Sequence, residues 1–163
     1  MNTSALTTTL TTLFGELVDG AAPSGAYMLN RGDAGLLRSL DTLTGKDASA
    51  SSAGGATIAA HVDHLRYGLS LMNRWSAGEN PFADADWSTS WRISRVDDGQ
   101  WEDLRAGLSA EAARWKSALG SPREVGAEEL AGMIGSIAHL AYHLGAIRQI
   151  DRTARGPRDE DSR

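Results

Sequence analysis

The amino-acid sequence predicts an all-α fold: a four-helix bundle with a short extra helix and a long crossover loop. Three observations predict it. Apolar residues recur every three or four positions in four long segments. No segment shows the strict alternation of a half-buried strand. Gly-rich or polar stretches punctuate the helical segments, and helices that bury one stripe each pack most simply as a bundle.

The first helix is marked by Leu6, Leu10, Leu13 and Leu17. A loop follows, "DGAAPSGAYMLNRGD", with Gly20, Pro23, Gly25 and Gly32 as its breakers. Leu36, Leu37, Leu40 and Leu43 give the short extra helix, and "TGKDASASSAGGA" after it reads as a flexible, low-complexity linker. Residues 57–75 form the second long helix. At about 100° per residue, Asp63, Arg66, Ser70, Asn73 and Arg74 share a polar face, opposite Ile58, Val62, Leu65, Leu69 and Met72. The crossover loop "SAGENPFADADWSTSWRISRVDDG" holds Pro81, Trp87 and Trp91, with a short extended piece near Ile93. The third long helix carries Trp101, Leu104, Leu108, Trp115 and Leu119 on one stripe. The fourth runs from about Ala127 to about Asp151. It is apolar almost all round, as in a helix buried in a bundle or covered by a second chain, so a homodimer is expected. Residues 1–152 read as one helical domain, and 153–163 as a disordered, charged tail.

Composition narrows the function classes. The chain has 163 residues, a net charge of −5 and no cysteine. It carries no basic footprint for nucleic acid, and it cannot form disulfides, thiolate metal sites or a thiol nucleophile of its own. No uninterrupted apolar run reaches the roughly 20 residues that span a bilayer, and the N-terminus lacks the basic start of a secretory signal. A cytoplasmic protein without membrane or nucleic-acid partners is the expectation.

All four histidines fall in two apolar helical runs, His61 and His64 in the second long helix and His139 and His143 in the fourth. Residues i and i+4 are neighbours on one helix face, so His139 and His143 can reach one metal ion. An imidazole from a facing helix, His61 or His64, completes a three-nitrogen set. Neutral imidazoles bind a cation without cancelling its charge, and three ligands leave positions open for water or substrate. The bland alternative is that the rings simply pack, but several buried, unpaired imidazoles would cost on the order of a few kcal/mol. Imidazole ligands suit zinc, nickel, iron and copper alike.

Other chemistry has less support. The residue after His139 is Leu140, so the His-Glu-x-x-His base of zincin proteases is absent. A hydrolytic base would have to come from Glu79, Asp84 or Asp86 in the crossover loop. Trp101 and Trp115 read as core, whereas Trp87 and Trp91 read as a lid over the metal. Tyr67 and Tyr142 are packing residues able to donate a hydrogen bond to substrate. Arg148 lies off the histidine face and reads as a surface or interface salt bridge.

At these residues the sequence resembles the DinB/YfiT-like superfamily. Thr57, Ile58, His64 and Leu65 match the first motif, a Ser or Thr, then Ile or Val, then His-Leu after several helical residues. His139, His143, Gly145 and Ile147 match the second, His-x-x-x-His-Arg-Gly-Gln-Ile, while Leu144 and Ala146 depart from its Arg and Gln. The resemblance implies a four-helix bundle holding a divalent metal, zinc or nickel, on His64, His139 and His143, with His61 a supporting residue or alternative ligand. It also implies an enzyme acting on a small electrophile, with a low-molecular-weight thiol such as bacillithiol or mycothiol as cosubstrate, or by hydrolysis. A non-catalytic, metal-dependent binding or stress-response protein on the same scaffold is the alternative, and a helical interaction protein whose histidines only pack is the third possibility.

Overall fold

The computed structural model describes residues 3–157. These form six α-helices, α1 (Thr3–Asp19), α2 (Gly35–Leu40), α3 (Gly45–Ala48), α4 (Ile58–Ser76), α5 (Asp98–Gly120) and α6 (Ala127–Ile150). Two 3₁₀ turns, Thr89–Arg92 and Arg152–Ala154, complete the list, and no strand occurs among the described residues. The all-α expectation holds.

The four long helices follow the apolar periodicity. α1 packs on α5 and α6, and α4 packs on the same two helices. Leu10, Phe14 and Leu17 of α1 meet Val62, Leu65 and Leu69 of α4, Leu108, Trp115 and Leu119 of α5, and Met133, Leu140 and Ile147 of α6 in one core. Each such side chain contributes roughly 1.5–3 kcal/mol by leaving water. Both core indoles have polar partners: Trp101 Nε1 donates to Leu43 O at 2.8 Å and Trp115 Nε1 to Ser136 Oγ at 2.9 Å.

α6 is long and apolar enough to cross a membrane by length and composition, the only such helix among the described residues. Counting uninterrupted apolar residues misses it, because Glu128, Glu129, His139, His143 and Arg148 interrupt the run. Here it buries Met133, Ile137, Leu140, Leu144 and Ile147 in the core.

The connections are more built than the sequence reading allows. The loop after α1 hangs on Glu16, whose carboxylate accepts the backbone N–H groups of Tyr27, Met28 and Leu29 at 2.9, 2.7 and 2.6 Å. Gly20 and Gly35 close that loop with φ of +104° and +75°; a Cβ on Gly35 would stand 2.3 Å from the Gly20 nitrogen, so the close approach requires glycine. The segment read as a flexible linker begins with α3. Thr44 and Asp47 form a reciprocal capping box there, and Ser49 Oγ accepts from Val96 N at 3.0 Å.

The chain end also differs from the expected boundary at residue 152. Ala154 is buried, and Asn30 Nδ2 donates to Pro157 O at 2.7 Å. Arg148, expected on a surface or interface, instead makes an internal ion pair with the nearly inaccessible Asp33 at 2.7 Å and donates from Nε to Ala154 O. The helical unit therefore extends through Pro157; residues 158–163 of the expected disordered tail lie outside the described residues.

Candidate metal centre

The start of α4 sets the register of its histidines. Thr57 caps the helix, accepting from Ala60 N at 3.1 Å and donating to Ile93 O at 2.7 Å. This bond pair fixes both the first turn and the crossover loop beside it. One and two turns on, His61 and His64 point towards α6.

Three imidazoles converge. His64 Nε2 lies 3.0 Å from His139 Nε2, and His143 Nε2 lies 3.0 Å from the same atom. One ligand atom from each of the three residues falls within 4.8 Å of the others. Two nitrogens sharing a tetrahedral zinc at bonds of 2.0–2.1 Å stand about 3.3 Å apart. The two 3.0 Å contacts to His139 Nε2 are a few tenths of an ångström shorter than that spacing.

His61 does not join this set. Its Nδ1 lies 2.9 Å from His143 Nδ1, on the far side of that ring. When His143 Nε2 faces a cation with its lone pair, its proton sits on Nδ1 and is donated to His61. Ligating histidines commonly have such an outer partner, which fixes ring orientation and tautomer. His64 lacks one: its Nδ1 is buried without a hydrogen-bond partner.

The rings are held neutral. Burial, reinforced by the neighbouring imidazoles, pushes His143 down to about 3. Burial and the same neighbours, opposed by Asp63, push His64 down to about 4. Burial alone lowers His61 and His139. At pH 7 all four are in the form that binds metal.

Trp87 and Trp91 cover the cluster, as expected of a lid. The Trp91 ring centroid is 4.4 Å from His64 and 5.5 Å from His61, and Trp87 is 5.4 Å from His64. Tyr67 holds the loop by accepting from Asp86 N at 3.0 Å, and Tyr142 stacks edge-on to His143.

Sequence reasoning missed what positions this lid. Asp63, assigned to a polar face, is buried. One of its oxygens accepts two bonds from Arg66 and the other accepts from Ser90 Oγ at 2.6 Å. Ser90 belongs to the turn that carries Trp91. An Asp directly before His64 was the available signal, since a carboxylate next to a buried residue needs partners.

The loop carboxylates named as possible bases are not directed at the rings. Glu79 pairs with Arg74; Asp86 accepts from Ser88 and Thr89; Asp84 is exposed. Beside His64 and His139 opens a cavity of about 490 Å³, walled by Gly68, Met72, Phe82, Trp87, Gly132 and Gly135 among others.

Fold and site together define an all-α protein with a covered three-imidazole cluster able to hold one metal ion. Comparisons with protein-family models, curated proteins and solved structures find no match for the chain.

Proposed function

We propose that the chain is a metal-dependent enzyme of the DinB/YfiT-like type, its four long helices forming the bundle that the resemblance implies. Nε2 of His64, His139 and His143 holds a divalent ion, zinc or nickel, and His61 supports His143 from behind. The observation that carries this reading is the meeting of three neutral ring nitrogens, from two helices, at 3.0 Å contacts. When bound, such an ion supplies positive charge that lowers the pKa of a bound water or thiol.

The chain's own residues supply the rest. Trp87 and Trp91 limit water access, and the imidazoles fix where a donor atom binds. Thiol transfer to a small electrophile is favoured over hydrolysis, because a thiol already ionised at the site needs no carboxylate base, and the loop carboxylates are engaged or exposed. The same absence of an aimed carboxylate favours, as the second reading, metal-dependent binding without turnover. We also propose a homodimer through α6, whose outer face exposes Ala131, Ile134, Ala138 and Tyr142 without a charge among them.

The test is turnover of a low-molecular-weight thiol with a model electrophile such as 1-chloro-2,4-dinitrobenzene. The reading expects activity that needs added zinc or nickel and disappears in His143→Ala. Stoichiometric metal with no turnover would support the binding reading. Absence of bound metal would contradict both.

A further inference from the structure

The cavity beside the imidazoles has walls of an unusual kind. Three glycines shape it, on two facing helices: Gly68 of α4, and Gly132 and Gly135 of α6. A Cβ on Gly132 would stand 2.6 Å from Trp75 Cζ3, so that glycine lets an indole pack against α6. A Cβ on Gly68 would sit in ordinary contact, 3.5 Å from Trp87 Cζ3 and 3.7 Å from His139 Cε1. A Cβ on Gly135 would meet nothing within 4 Å. At Gly68 and Gly135 the missing side chains leave room beside the cavity, whereas the space left at Gly132 is filled by Trp75.

The remaining wall is apolar or already bonded. Leu65, Leu69, Met72 and Phe82 contribute carbon and sulfur. Ser136 spends its hydroxyl, accepting from Trp115 Nε1 and donating to Met133 O. No Asp, Glu, Lys or Arg lines the space. Polar recognition is concentrated at one end, where His64 and His139 stand, with the Trp87 indole along the side. A carboxylate or ammonium group placed here would lose its hydration without a partner, whereas a flat ring would gain from contact with the indole and the leucines. At about 490 Å³ the cavity lies within the usual range for small-molecule pockets.

We propose that this cavity takes the uncharged, flat apolar body of the substrate, with that molecule's polar, metal-binding end facing His64 and His139. It rests on the metal reading above, and it places the charged or sugar-like parts of any thiol cosubstrate outside the cavity. Gly68 and Gly135 are then the residues that set the size of the accepted group.

The experiment compares benzohydroxamic acid, acetohydroxamic acid and 4-carboxybenzohydroxamic acid binding to the zinc-loaded full chain by calorimetry. All three offer the same metal-binding group. The ring should improve affinity about tenfold or more over acetohydroxamate, and the added carboxylate should remove most of that gain. Gly68→Leu and Gly135→Leu, which fill the cavity from opposite walls, should abolish the ring's advantage while zinc content and acetohydroxamate affinity stay unchanged. Should one variant fail to fold, the other decides. Equal affinity for the two uncharged hydroxamates in the wild type, or a ring advantage kept in both variants, would overturn the proposal. Failure to bind zinc would count against the metal reading alone. The cavity is then tested in the metal-free chain with benzyl alcohol: saturable tryptophan quenching lost in the variants supports it, and no saturable change overturns it.

Discussion

His61 Nδ1 lies 2.9 Å from His143 Nδ1, while His143 Nε2 turns the other way, to within 3.0 Å of His139 Nε2. One ring thus touches both the three-imidazole cluster and His61, and the proposed site gives the two histidines of α4 different jobs. His61→Ala is expected to leave the zinc stoichiometry intact and weaken affinity by about 10–100-fold. His64→Ala should remove stoichiometric binding. Competition with a chromophoric chelator measures both, and equal losses would show that the α4 ligand is misassigned.

Asp63 and Ser90 tie the lid to α4 through a 2.6 Å hydrogen bond. Ser90→Ala removes a bond to a charged acceptor, worth about 1.5–3 kcal/mol. Lower stability in urea is expected, together with faster stripping of zinc by EDTA as Trp91 loosens over His64. An unchanged stripping rate would separate the lid from metal retention.

The metal-free protein should be acid-sensitive. His64 and His143 are pushed down to about 4 and about 3 in the folded chain, against about 6.5 when unfolded. Below that value the unfolded state binds more protons, so stability falls as pH drops. The loss should begin near pH 6.5 and continue to about pH 3–4. Melting curves across this range check it. His143→Gln should flatten the slope, and an unaltered slope would mean that other groups dominate.

Asp33 holds Arg148 at 2.7 Å and also accepts from Gly35 N at 2.8 Å. The pair joins α6, the loop after α1 and the chain end. Asp33→Ala leaves a largely buried guanidinium unpaired, and a loss of about 3–5 kcal/mol is expected. Urea denaturation measures it; a loss under about 1 kcal/mol would be the behaviour of an exposed pair.

The long helices and the histidine cluster could be read from the sequence because both depend on spacing. Leu10, Leu17, Leu65, Leu69, Leu108 and Leu119 repeat at helical intervals and are all buried. His139 and His143 are one turn apart, so their shared face follows from helix geometry alone. What could not be read depends on partners distant in sequence. Glu16 looks like any acidic helix residue until Tyr27, Met28 and Leu29 fold onto it. Asp63 falls on a polar helical face, but its carboxylate meets Ser90 and Arg66 rather than water. Thr44 and Asp47 carried a local capping signal, masked by the Ala- and Ser-rich residues that follow. Gly68, Gly132 and Gly135 each carry no signal alone, and only their juxtaposition across α4 and α6 makes a cavity wall of them.

X-ray absorption spectroscopy of the zinc-loaded full chain reads the ligands of the bound ion without reference to activity. The expected spectrum has three imidazole nitrogens at about 2.0–2.1 Å and one solvent oxygen, and the imidazole signature weakens in His139→Ala. A shell of carboxylate oxygens, or an imidazole signature unchanged in that variant, would contradict the three-imidazole site.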